Sequence, residues 1–377
     1  AAIDAVGACA NGESLLETIA DGAWADQGWQ PAAHALTRLA RLAPTRQARR
    51  LAAAARAAPW QVRMYAANAA GETGDLDLLR ELAIDAHPNV QHAALRGLQA
   101  HLGHDADDLF AAALTSPDYQ VVIAAAGALA GGNGDHLVAV LDALDRITAE
   151  RRETSRDPRM ALLRAAATLA GDRQQEHGEH GERLLPYLAD FDAAIAAAAA
   201  EAIYPAGSNA DVVFEAQPLP LQPFPTLEHL REIDRTRAIL TMGNGDTLTL
   251  RFFPFEAPTH AARFVRLASD GYFDGLTFHR VVYNFVLQGG SPGANEFMGD
   301  GPFTRDEITA RSHRRGTVGT STRGRDTGDG QIFINLADNL RLDFNYTIFA
   351  EVIQGEDALD NVLEGAVIES ITFERDR

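Results

Sequence analysis

The residues best suited to chemistry lie in the last third of the chain, around one arginine. Arg280 follows Phe278 and His279, and Gln288 comes eight positions later. A guanidinium is charged at any relevant pH and presents a rigid fork of N–H donors, so it can hydrogen-bond an electron-rich atom. Taken alone, such an arginine is more often a surface ion-pair residue, and nearby Phe285 is more often part of a core.

Other chemistry-bearing residues are few. Cys9 is the only cysteine, which excludes an intramolecular disulfide and a cysteine-based zinc site. The run from His177 to His180 holds two histidines in a Gly- and Glu-rich segment without further ligands, and we interpret it as a solvated turn. The sequence therefore predicts no metal and no cofactor.

The elements around Arg280 follow an alternating pattern. Residues 237–242 and 247–253 flank a Gly-Asn-Gly-Asp turn, which predicts a β-hairpin. A helix is expected after Pro258, and residues 277–282 form a third strand.

Several blocks of this half, in this order, resemble bacterial cyclophilins. They are YFDGLTFHRVV at 272–282, NFVLQGG at 284–290, RGTVGT at 315–320, DGQIFIN at 329–335 and LDFNYTIFAEV at 342–352. The resemblance covers nearly all of residues 234–377. It implies a closed eight-stranded antiparallel β-barrel with two capping helices, in which residues 237–242 and 368–373 are the first and last strands.

The same resemblance implies a peptidyl-prolyl cis/trans isomerase. Resonance in an X–Pro amide sets a barrier of about 18–20 kcal/mol, and uncatalysed exchange takes tens to hundreds of seconds. Because rotation breaks no bond, it requires no nucleophile, metal or cofactor. An apolar pocket for the proline ring and a donor aimed at the amide nitrogen lower the barrier if they favour the twisted state.

The resemblance assigns roles residue by residue. Arg280 is the catalytic donor, and Gln288 holds it and bonds the substrate backbone. The remaining residues implied to bind substrate are Phe285, Val286, Phe333 and Leu342 around the proline, with Gln331, Ser321, Thr322 and Tyr346 as further contacts. His279 is expected to pack internally and not to act as an acid or base.

Four positions depart from the family pattern. They are Val286 where many members carry Met, Ser321-Thr322-Arg323 in place of an Ala-Asn-Ala-like run, Arg341 where cyclosporin-sensitive members carry Trp, and Tyr346 where many carry His. Members without that Trp remain active, so the departures predict weak cyclosporin inhibition and intact catalysis.

Residues 1–216 follow a different, helical pattern that repeats. Pro59, Pro88 and Pro117 are 29 residues apart and each opens a similar Ala-rich helix. Gly71, Gly103, Gly131 and Gly171 are expected as left-handed C-caps, and Asp75 and Asp135 as N-caps. Units of this length must stack to bury their apolar faces, so the pattern predicts an all-α solenoid that resembles short HEAT-like repeats of the phycobilisome-lyase type.

The two halves meet at a proline-rich segment, which we assign as a linker at residues 217–233, before the cyclophilin-type domain at 234–377. Four prolines fall within residues 217–225, a density that excludes helix and central strand there.

Composition and charge limit the class of protein and the kind of partner. A hydrophobic content of 46% and a charged content of 23% are ordinary for a soluble protein, and no apolar run is long enough for a membrane span. The formal net charge of -19 argues against a nucleic-acid partner. The chain begins without Met, and we expect the bacterial cytoplasm or, after removal of a signal segment, the cell envelope (periplasm).

Three functions remain open on the sequence. The first is an isomerase acting on proline-containing peptides and client proteins, with a protein partner on the helical-repeat face. The second is a repeat scaffold whose barrel mainly binds proline-containing segments with little turnover. The third is a general chaperone whose helical face holds unfolded chains. The repeat region is also compatible with a rigid spacer.

Overall fold

A computed structural model describes residues 3, 6, 11–22, 24, 28–170, 179–204 and 214–375. Cys9 and His177 lie outside these residues. Contacts divide the chain into two compact units, 1–219 and 220–377, and each is described by itself. Within the described residues, no helix combines the length and the apolar character that crossing a membrane requires.

The first unit is a succession of helices. They are α1 Gly12–Ala20, α2 Gln30–Leu42, α3 Ala48–Ala54, α4 Trp60–Thr73, α5 Leu76–Leu82, α6 Pro88–Leu102, α7 Asp107–Ala113, α8 Tyr119–Leu129, α9 Leu137–Ala149, α10 Arg156–Ala170, α11 Glu179–Leu184 and α12 Ala193–Ile203. Short 3₁₀ turns join some of them, at Pro44–Arg46, Gly103–Ala106, Glu153–Ser155 and Leu185–Ala189.

These helices form a stacked row with a second row beside it. Helices α2, α4, α6, α8, α10 and α12 each pack against the next, and the intervening helices pack along the row. This is the arrangement expected of a solenoid, in which each unit buries its apolar face against its neighbours. We call the stacked set the inner row and α3, α5, α7, α9 and α11 the outer row.

The predicted helix signals hold with three exceptions, at Gly71, Gly103 and Asp135. Gly103 has φ 52° and ψ -130°, which is not the left-handed helical conformation, and α9 has His136, not Asp135, as its N-cap. Gly171, also predicted as a C-cap, lies outside the described residues.

Pro59 is the N-cap of α4, Pro88 is the first residue of α6, and the Asp75 side chain accepts a hydrogen bond from the Leu78 N–H at the start of α5. The assignment of Gly71 as a C-cap was wrong, because α4 continues to Thr73 and Gly74 adopts the left-handed conformation at φ 73°. Gly71 instead faces Gly97 of α6, where a Cβ would lie 3.5 Å from the Gly97 Cα, so it serves close helix packing.

The second unit opens with a helix that the sequence analysis had placed in the linker. Residues 214–226 have no regular structure, and α13 then spans Leu227–Asp234. Its Thr226 N-cap accepts from the His229 N–H, and Leu230 and Ile233 are buried. Ile233 belongs to the core of the barrel, so this part of the assigned linker is part of the folded domain.

The rest of the unit is a β-barrel with a helix packed on it. Its elements are β1 Thr236–Met242, β2 Thr247–Phe252, α14 Pro258–Ser269, β3 Thr277–Phe278, β4 Arg280–Val282, β5 Val286–Gly289, β6 Thr317–Thr320, β7 Ile332–Asn335, β8 Ile348–Gln354 and β9 Ala366–Arg375, with 3₁₀ turns at Leu340–Leu342 and Glu356–Asn361.

The strands run in the order β3-β9-β1-β2-β8-β6-β7-β5-β4, with antiparallel pairing between neighbours. The two end strands, β3 and β4, are separated only by His279. They are therefore two parts of one interrupted strand, which pairs with β9 on one side and β5 on the other and so closes the sheet. Counted in this way, the barrel has the eight strands predicted.

Alternation along the strands fills the barrel interior. Ala238, Leu240 and Met242 of β1 are buried, as are alternate residues of β2. From α14, Phe264 brings its ring centroid within 5.1–5.7 Å of those of Phe252, Phe273 and Phe349. Truncating such a ring would cost about 3–5 kcal/mol, so α14 is a structural part of the barrel.

Candidate functional site

The site is built on the hairpin formed by β4 and β5. Arg280 and Gln288 are paired across it in direct register, so their side chains project on the same face. Asn284 takes a left-handed φ of 55° in the connecting turn, a conformation that Asn tolerates better than most residues. The eight-residue spacing read from the sequence thus becomes a direct cross-strand contact.

A chain of hydrogen bonds fixes the arginine. One terminal nitrogen of Arg280, Nη1, donates to Gln288 Oε1 at 3.1 Å, and Gln288 Nε2 donates to Ser321 Oγ at 2.9 Å. Gln288 is buried, whereas Arg280 is exposed. Arg280 takes part in no ion pair with another described residue, so its other N–H groups remain available to a bound molecule.

Beside the hydrogen bonds that join Arg280, Gln288 and Ser321 is an apolar wall, which is separate from the barrel core. Val286, Phe333 and Leu342 form their own buried cluster, with the half-buried Phe285 and Tyr346 packed against it. The ring centroids of Phe333 and Tyr346 are 6.0 Å apart in an edge-to-face arrangement. Strand β5 supplies Val286 and β7 supplies Phe333, and these strands are directly paired.

A glycine makes room for the central ring of this wall. A Cβ at Gly319 of β6 would lie 2.4 Å from Phe333 Cζ and 2.7 Å from the Thr347 carbonyl oxygen. Any side chain there would displace the Phe333 ring. Gly319, the second glycine of the RGTVGT block, is therefore required for Phe333 to keep its place in the apolar wall.

His313 supports the wall from behind. Its ring is stacked on Phe333 with centroids 5.9 Å apart, and its Nδ1 lies 3.0 Å from an Asp343 carboxylate oxygen. Burial lowers the pKa of His313, although the hydrogen bond to Asp343 acts in the opposite direction. The histidine therefore acts as an uncharged support for Phe333.

Leu342 reaches the wall from a short 3₁₀ turn. Asn339 Nδ2 donates to the Phe285 carbonyl oxygen at 2.8 Å and to Asn335 Oδ1 at 2.7 Å. These bonds join the turn to the hairpin and to β7. The guanidinium carbon of Arg341 lies 4.3 Å from the Phe285 ring centroid, so Arg341 covers the outer side of that ring.

Together these groups enclose a cavity of about 210 Å³. Its lining residues are Arg280, Phe285, Val286, Gln288, Glu296, Ser321, Thr322, Arg323, Phe333, Leu342 and Tyr346. The cavity has one apolar wall and one polar wall, and it is small for a cofactor. The structure thus brings every predicted site residue except Gln331 to a single cavity.

Gln331 does not line the cavity. Its side chain is only 1% exposed and donates to the carbonyl oxygens of Glu296 at 3.0 Å and Met298 at 3.2 Å. Its expected contact with substrate is therefore replaced by a positioning role, in which the amide holds the loop that carries Glu296.

Glu296 and Arg323 were not predicted as site residues. Arg323 Nη1 lies 3.3 Å from an oxygen of the buried Asp329 and also bonds the Glu296 carbonyl oxygen. Burial raises the pKa of Asp329, although the Arg323 charge acts against this shift. Both missed residues lie in irregular segments, where the sequence offers no periodicity to indicate which side chains point inward.

Two further observations limit the chemistry. Burial, with the positive charge of Arg280, lowers the pKa of His279 to about 4, so this histidine is neutral near pH 7. Among the residues that the structure describes, no three His, Cys, Asp or Glu side chains are grouped in a way that could hold a metal ion. What the cavity can supply is a fixed cationic donor beside an apolar niche.

Comparison with known proteins gives two family matches. Residues 238–375 match the family described as cyclophilin type peptidyl-prolyl cis-trans isomerase/CLD, and residues 47–131 match HEAT repeats. A peptidyl-prolyl cis-trans isomerase of Helicobacter pylori is 34% identical over 146 residues, which are 38% of this chain and 90% of that protein. One from Synechococcus elongatus is 40% identical over 121 residues, or 32% of this chain and 83% of that protein. A crystal structure of a cyclophilin type isomerase from Cryptosporidium parvum aligns with 23% identity over 38% of this chain and 99% of that one, at a TM-score of 0.36.

Proposed function

The chain belongs to the cyclophilin type peptidyl-prolyl cis-trans isomerase family, and we propose that its barrel catalyses rotation about X–Pro bonds with Arg280 as the donor to the amide nitrogen. The substrates are proline-containing segments of peptides and of unfolded or flexible proteins. The repeat region suggests protein interaction, so its partners are other proteins.

One observation carries the proposal. The Arg280 guanidinium is held by Gln288, takes part in no ion pair with a described residue, and lies on the wall of the cavity that Phe333 and Leu342 also line. An exposed guanidinium that is fixed by a buried amide and has no ion-pair partner among the described residues is free to donate to a bound molecule. It is what a reaction needs if negative charge or a lone pair develops at that point.

The reaction supplies such a lone pair. In the planar amide, the nitrogen lone pair is delocalised into the carbonyl group, and this delocalisation sets the barrier of about 18–20 kcal/mol. Twisting the bond localises the lone pair on nitrogen, where it accepts a hydrogen bond that it cannot accept when planar. Arg280 would therefore stabilise the twisted state more than either planar state, which lowers the barrier.

The other lining residues orient the substrate. Val286, Phe333 and Leu342 would grip the pyrrolidine ring and exclude water, which strengthens the Arg280 hydrogen bond. Ser321 and Thr322 line the polar side of the cavity and would meet the substrate backbone. Because Ser321 also accepts from Gln288, a substrate bound there would be coupled to the group that holds Arg280.

A protease-coupled assay on a short Ala-Pro peptide tests this assignment. We expect Arg280→Ala to lower kcat/KM by about 10²–10³, the loss typical of removing one preorganised donor to a transition state. Arg280→Lys should retain only part of the activity, because an ammonium lacks the planar fork that Gln288 holds.

Arg235→Ala is the matched control, since Arg235 is an exposed arginine of the same unit that does not line the cavity. Wild-type activity that survives in Arg280→Ala would reject the assigned site. If the wild-type chain binds the peptide but neither form is active, the barrel is a binding module for proline-containing segments.

A further inference from the structure

The inner row of the first unit carries two aligned rows of side chains that the isomerase site does not use. The fifth residues of α2, α4, α6, α8 and α10 are His34, Met64, His92, Ile123 and Met160, and all are half-buried. The ninth residues of the same helices are Arg38, Asn68, Arg96, Gly127 and Arg164. Residues four apart lie on the same helix face, so the two rows run side by side along the stack.

These rows point away from the packed interior. The third residues of the same helices are Ala32, Val62, Val90, Val121 and Pro158, and the eleventh are Ala40, Ala70, Leu98, Leu129 and Ala166; all are buried. The fifth and ninth positions lie on the opposite side of each helix, where Arg96, Gly127 and Arg164 are exposed. A Cβ added at Gly127 would meet no atom within 4 Å, so the space next to Gly127 is open.

The charge of the inner row is opposite to that of the chain. The six inner-row helices contain seven arginines and three acidic residues, whereas the chain as a whole has a formal net charge of -19. Four of the seven, Arg41, Arg63, Arg156 and Arg159, form ion pairs with carboxylates. The other three, Arg38, Arg96 and Arg164, form no ion pair or hydrogen bond with another described residue, and the Nε atom of Arg38 is buried. They lie on α2, α6 and α10, which are every second helix of the inner row, so these three cations are regularly spaced.

We propose that this face binds an extended acidic segment of another protein. Arginine is suited to the task because its fork can bind a carboxylate through two parallel hydrogen bonds, and the chain contains no lysine that could replace it. The neighbouring row supplies three apolar side chains, Met64, Ile123 and Met160, alternating with His34 and His92, and its methionines can adapt to irregular side chains. The segment would therefore carry acidic residues with apolar or β-branched residues between them.

The helix spacing sets the spacing of the acidic residues. Packed helices are about 8–10 Å apart, so successive arginines on every second helix are about 16–20 Å apart. An extended chain advances about 3.3 Å per residue, so carboxylates about every five or six residues would meet Arg38, Arg96 and Arg164 in turn.

A nucleic acid fits this face less well. Each strand of a nucleic-acid duplex carries a phosphate about every 3.4 Å, and a protein that binds it neutralises many phosphates with basic side chains. Three arginines distributed over about 40 Å, with Met64, Ile123 and Met160 beside them, match neither that charge density nor its uniformly polar character.

Fluorescence anisotropy on the full chain tests the proposal. The probe is a labelled 18-residue peptide of six Glu-Thr-Val repeats, compared with the same peptide carrying Gln for Glu and with a labelled oligothymidylate. We expect the Glu peptide to bind, the Gln peptide to bind at least about tenfold more weakly, and added salt to weaken the Glu peptide.

Two variants move affinity in opposite directions. The triple variant Arg38→Glu, Arg96→Glu and Arg164→Glu should weaken the Glu peptide at least about tenfold, because each site changes from attraction to repulsion. Gly127→Arg places a fourth cation between two existing ones in open space and should tighten binding about 1.4- to 5-fold, the range of one exposed ion pair.

A charge-matched control uses Arg49→Glu, Arg56→Glu and Arg80→Glu, which alter exposed arginines outside the inner row. All variants should keep their helical circular dichroism and their isomerase activity. Failure of the acidic peptide to bind is therefore distinct from failure of the isomerase assignment. Equal loss in the control triple, equal binding of the Gln peptide, or tighter binding of the oligothymidylate would overturn the proposal, as would absence of binding by the Glu peptide.

Discussion

The orientation of Arg280 depends on one buried amide. Gln288 accepts from Arg280 and donates to Ser321, so it fixes the guanidinium relative to the polar wall of the cavity. Gln288→Leu removes a hydrogen bond to a charged group, which is worth about 1.5–3 kcal/mol, and we expect kcat/KM to fall about 10- to 100-fold. Gln288→Glu should also impair turnover, because a carboxylate beside Arg280 offsets the positive charge that the twisted amide needs.

Gln47→Leu provides a matched control, since Gln47 is a buried amide of the first unit that also accepts from an arginine, Arg50, and donates to a backbone carbonyl. We expect it to lower the denaturation midpoint and to leave kcat/KM nearly unchanged well below that midpoint. A fall in kcat/KM as large as that of Gln288→Leu, in a variant that remains folded, would contradict a specific role of Gln288 at the cavity.

We expect Arg341, next to the cavity, to determine how tightly cyclosporin binds. Its guanidinium covers the Phe285 ring. By the family resemblance, position 341 is the one at which cyclosporin-sensitive members carry Trp. We therefore expect cyclosporin to inhibit the wild-type chain weakly. We expect Arg341→Trp to lower the inhibition constant at least tenfold, because the indole adds apolar contact with cyclosporin. Inhibition constants from the Ala-Pro peptide assay measure both quantities.

Leu340→Trp is the control for a new indole nearby, because Leu340 is exposed and directly precedes Arg341, whose guanidinium is the one that covers the Phe285 ring. A nanomolar inhibition constant for the wild-type chain, or equal gains in both Trp variants, would show that Arg341 is not the determinant.

The residues of the cavity differ in how well sequence alone predicts them. Arg280 and Gln288 lie on adjacent strands of a hairpin, where a fixed spacing becomes a contact, so family spacing located both. Gln331 lies just before β7, and the sequence does not show that its side chain turns behind the loop instead of into the cavity. Glu296 and Arg323 come from irregular segments, where backbone direction depends on tertiary contacts such as the buried Asp329.

At the scale of elements, α14 is joined to β6 through a buried histidine. His260 Nε2 lies 2.9 Å from the Arg305 carbonyl oxygen and Nδ1 lies 2.7 Å from Thr320 Oγ1. The carbonyl can only accept, so Nε2 carries the proton and Nδ1 accepts from the threonine hydroxyl. The helix start is also held by Glu307, which accepts from the Thr259 and His260 N–H groups.

This joint predicts acid sensitivity of the barrel. Burial, with a contribution from the Arg263 charge, lowers the pKa of His260 to about 4, whereas in the unfolded chain it is near its ordinary 6.5. Between these values the unfolded state binds a proton that the folded state does not, so stability falls as pH falls. From pH 7 to pH 5, we expect His260 to account for a loss of about 2 kcal/mol.

Urea unfolding followed by pulsed hydrogen exchange and mass spectrometry of barrel peptides measures this loss. His260→Gln keeps a donor and an acceptor but cannot titrate, so its barrel should lose less stability between pH 7 and pH 5 than the wild type. His229→Gln, at an exposed histidine of α13, is the matched control. Identical pH dependence in wild type and His260→Gln would refute the role of His260.

Element boundaries show where sequence patterns fail. The strand predicted at 277–282 is one strand in space, but His279 interrupts its ladder, so it pairs with β9 before that residue and with β5 after it. Gly71 has the same sequence signal as the true cap, Gly74, three residues later, because close packing against Gly97 also selects glycine. Helix α13 was missed because the prolines before it dominate that stretch of sequence.

At the scale of the molecule, the family matches and the contact division agree on two separate parts. The HEAT repeats at 47–131 fall within the first unit, and the cyclophilin type region at 238–375 falls within the second. The predicted order of an all-α repeat region followed by a cyclophilin-like barrel is confirmed. Helical repeats are predictable because each punctuating proline and cap acts locally, and the barrel is predictable because its ordered blocks carry family spacing.

The same division predicts that the barrel works without the repeats, provided that the cut preserves α13. All cavity-lining residues lie within 220–377, so a fragment of those residues should fold and match the kcat/KM of the full chain. A fragment of residues 235–377 lacks Leu230 and Ile233, and losing the burial of two such side chains should destabilise it by about 3–6 kcal/mol. Calorimetry of both fragments and the peptide assay measure these effects, with Leu230→Ala and Ile233→Ala in the longer fragment as intermediate cases. An inactive longer fragment, or equal stability of the two fragments, would show that the boundary of the folded barrel lies elsewhere.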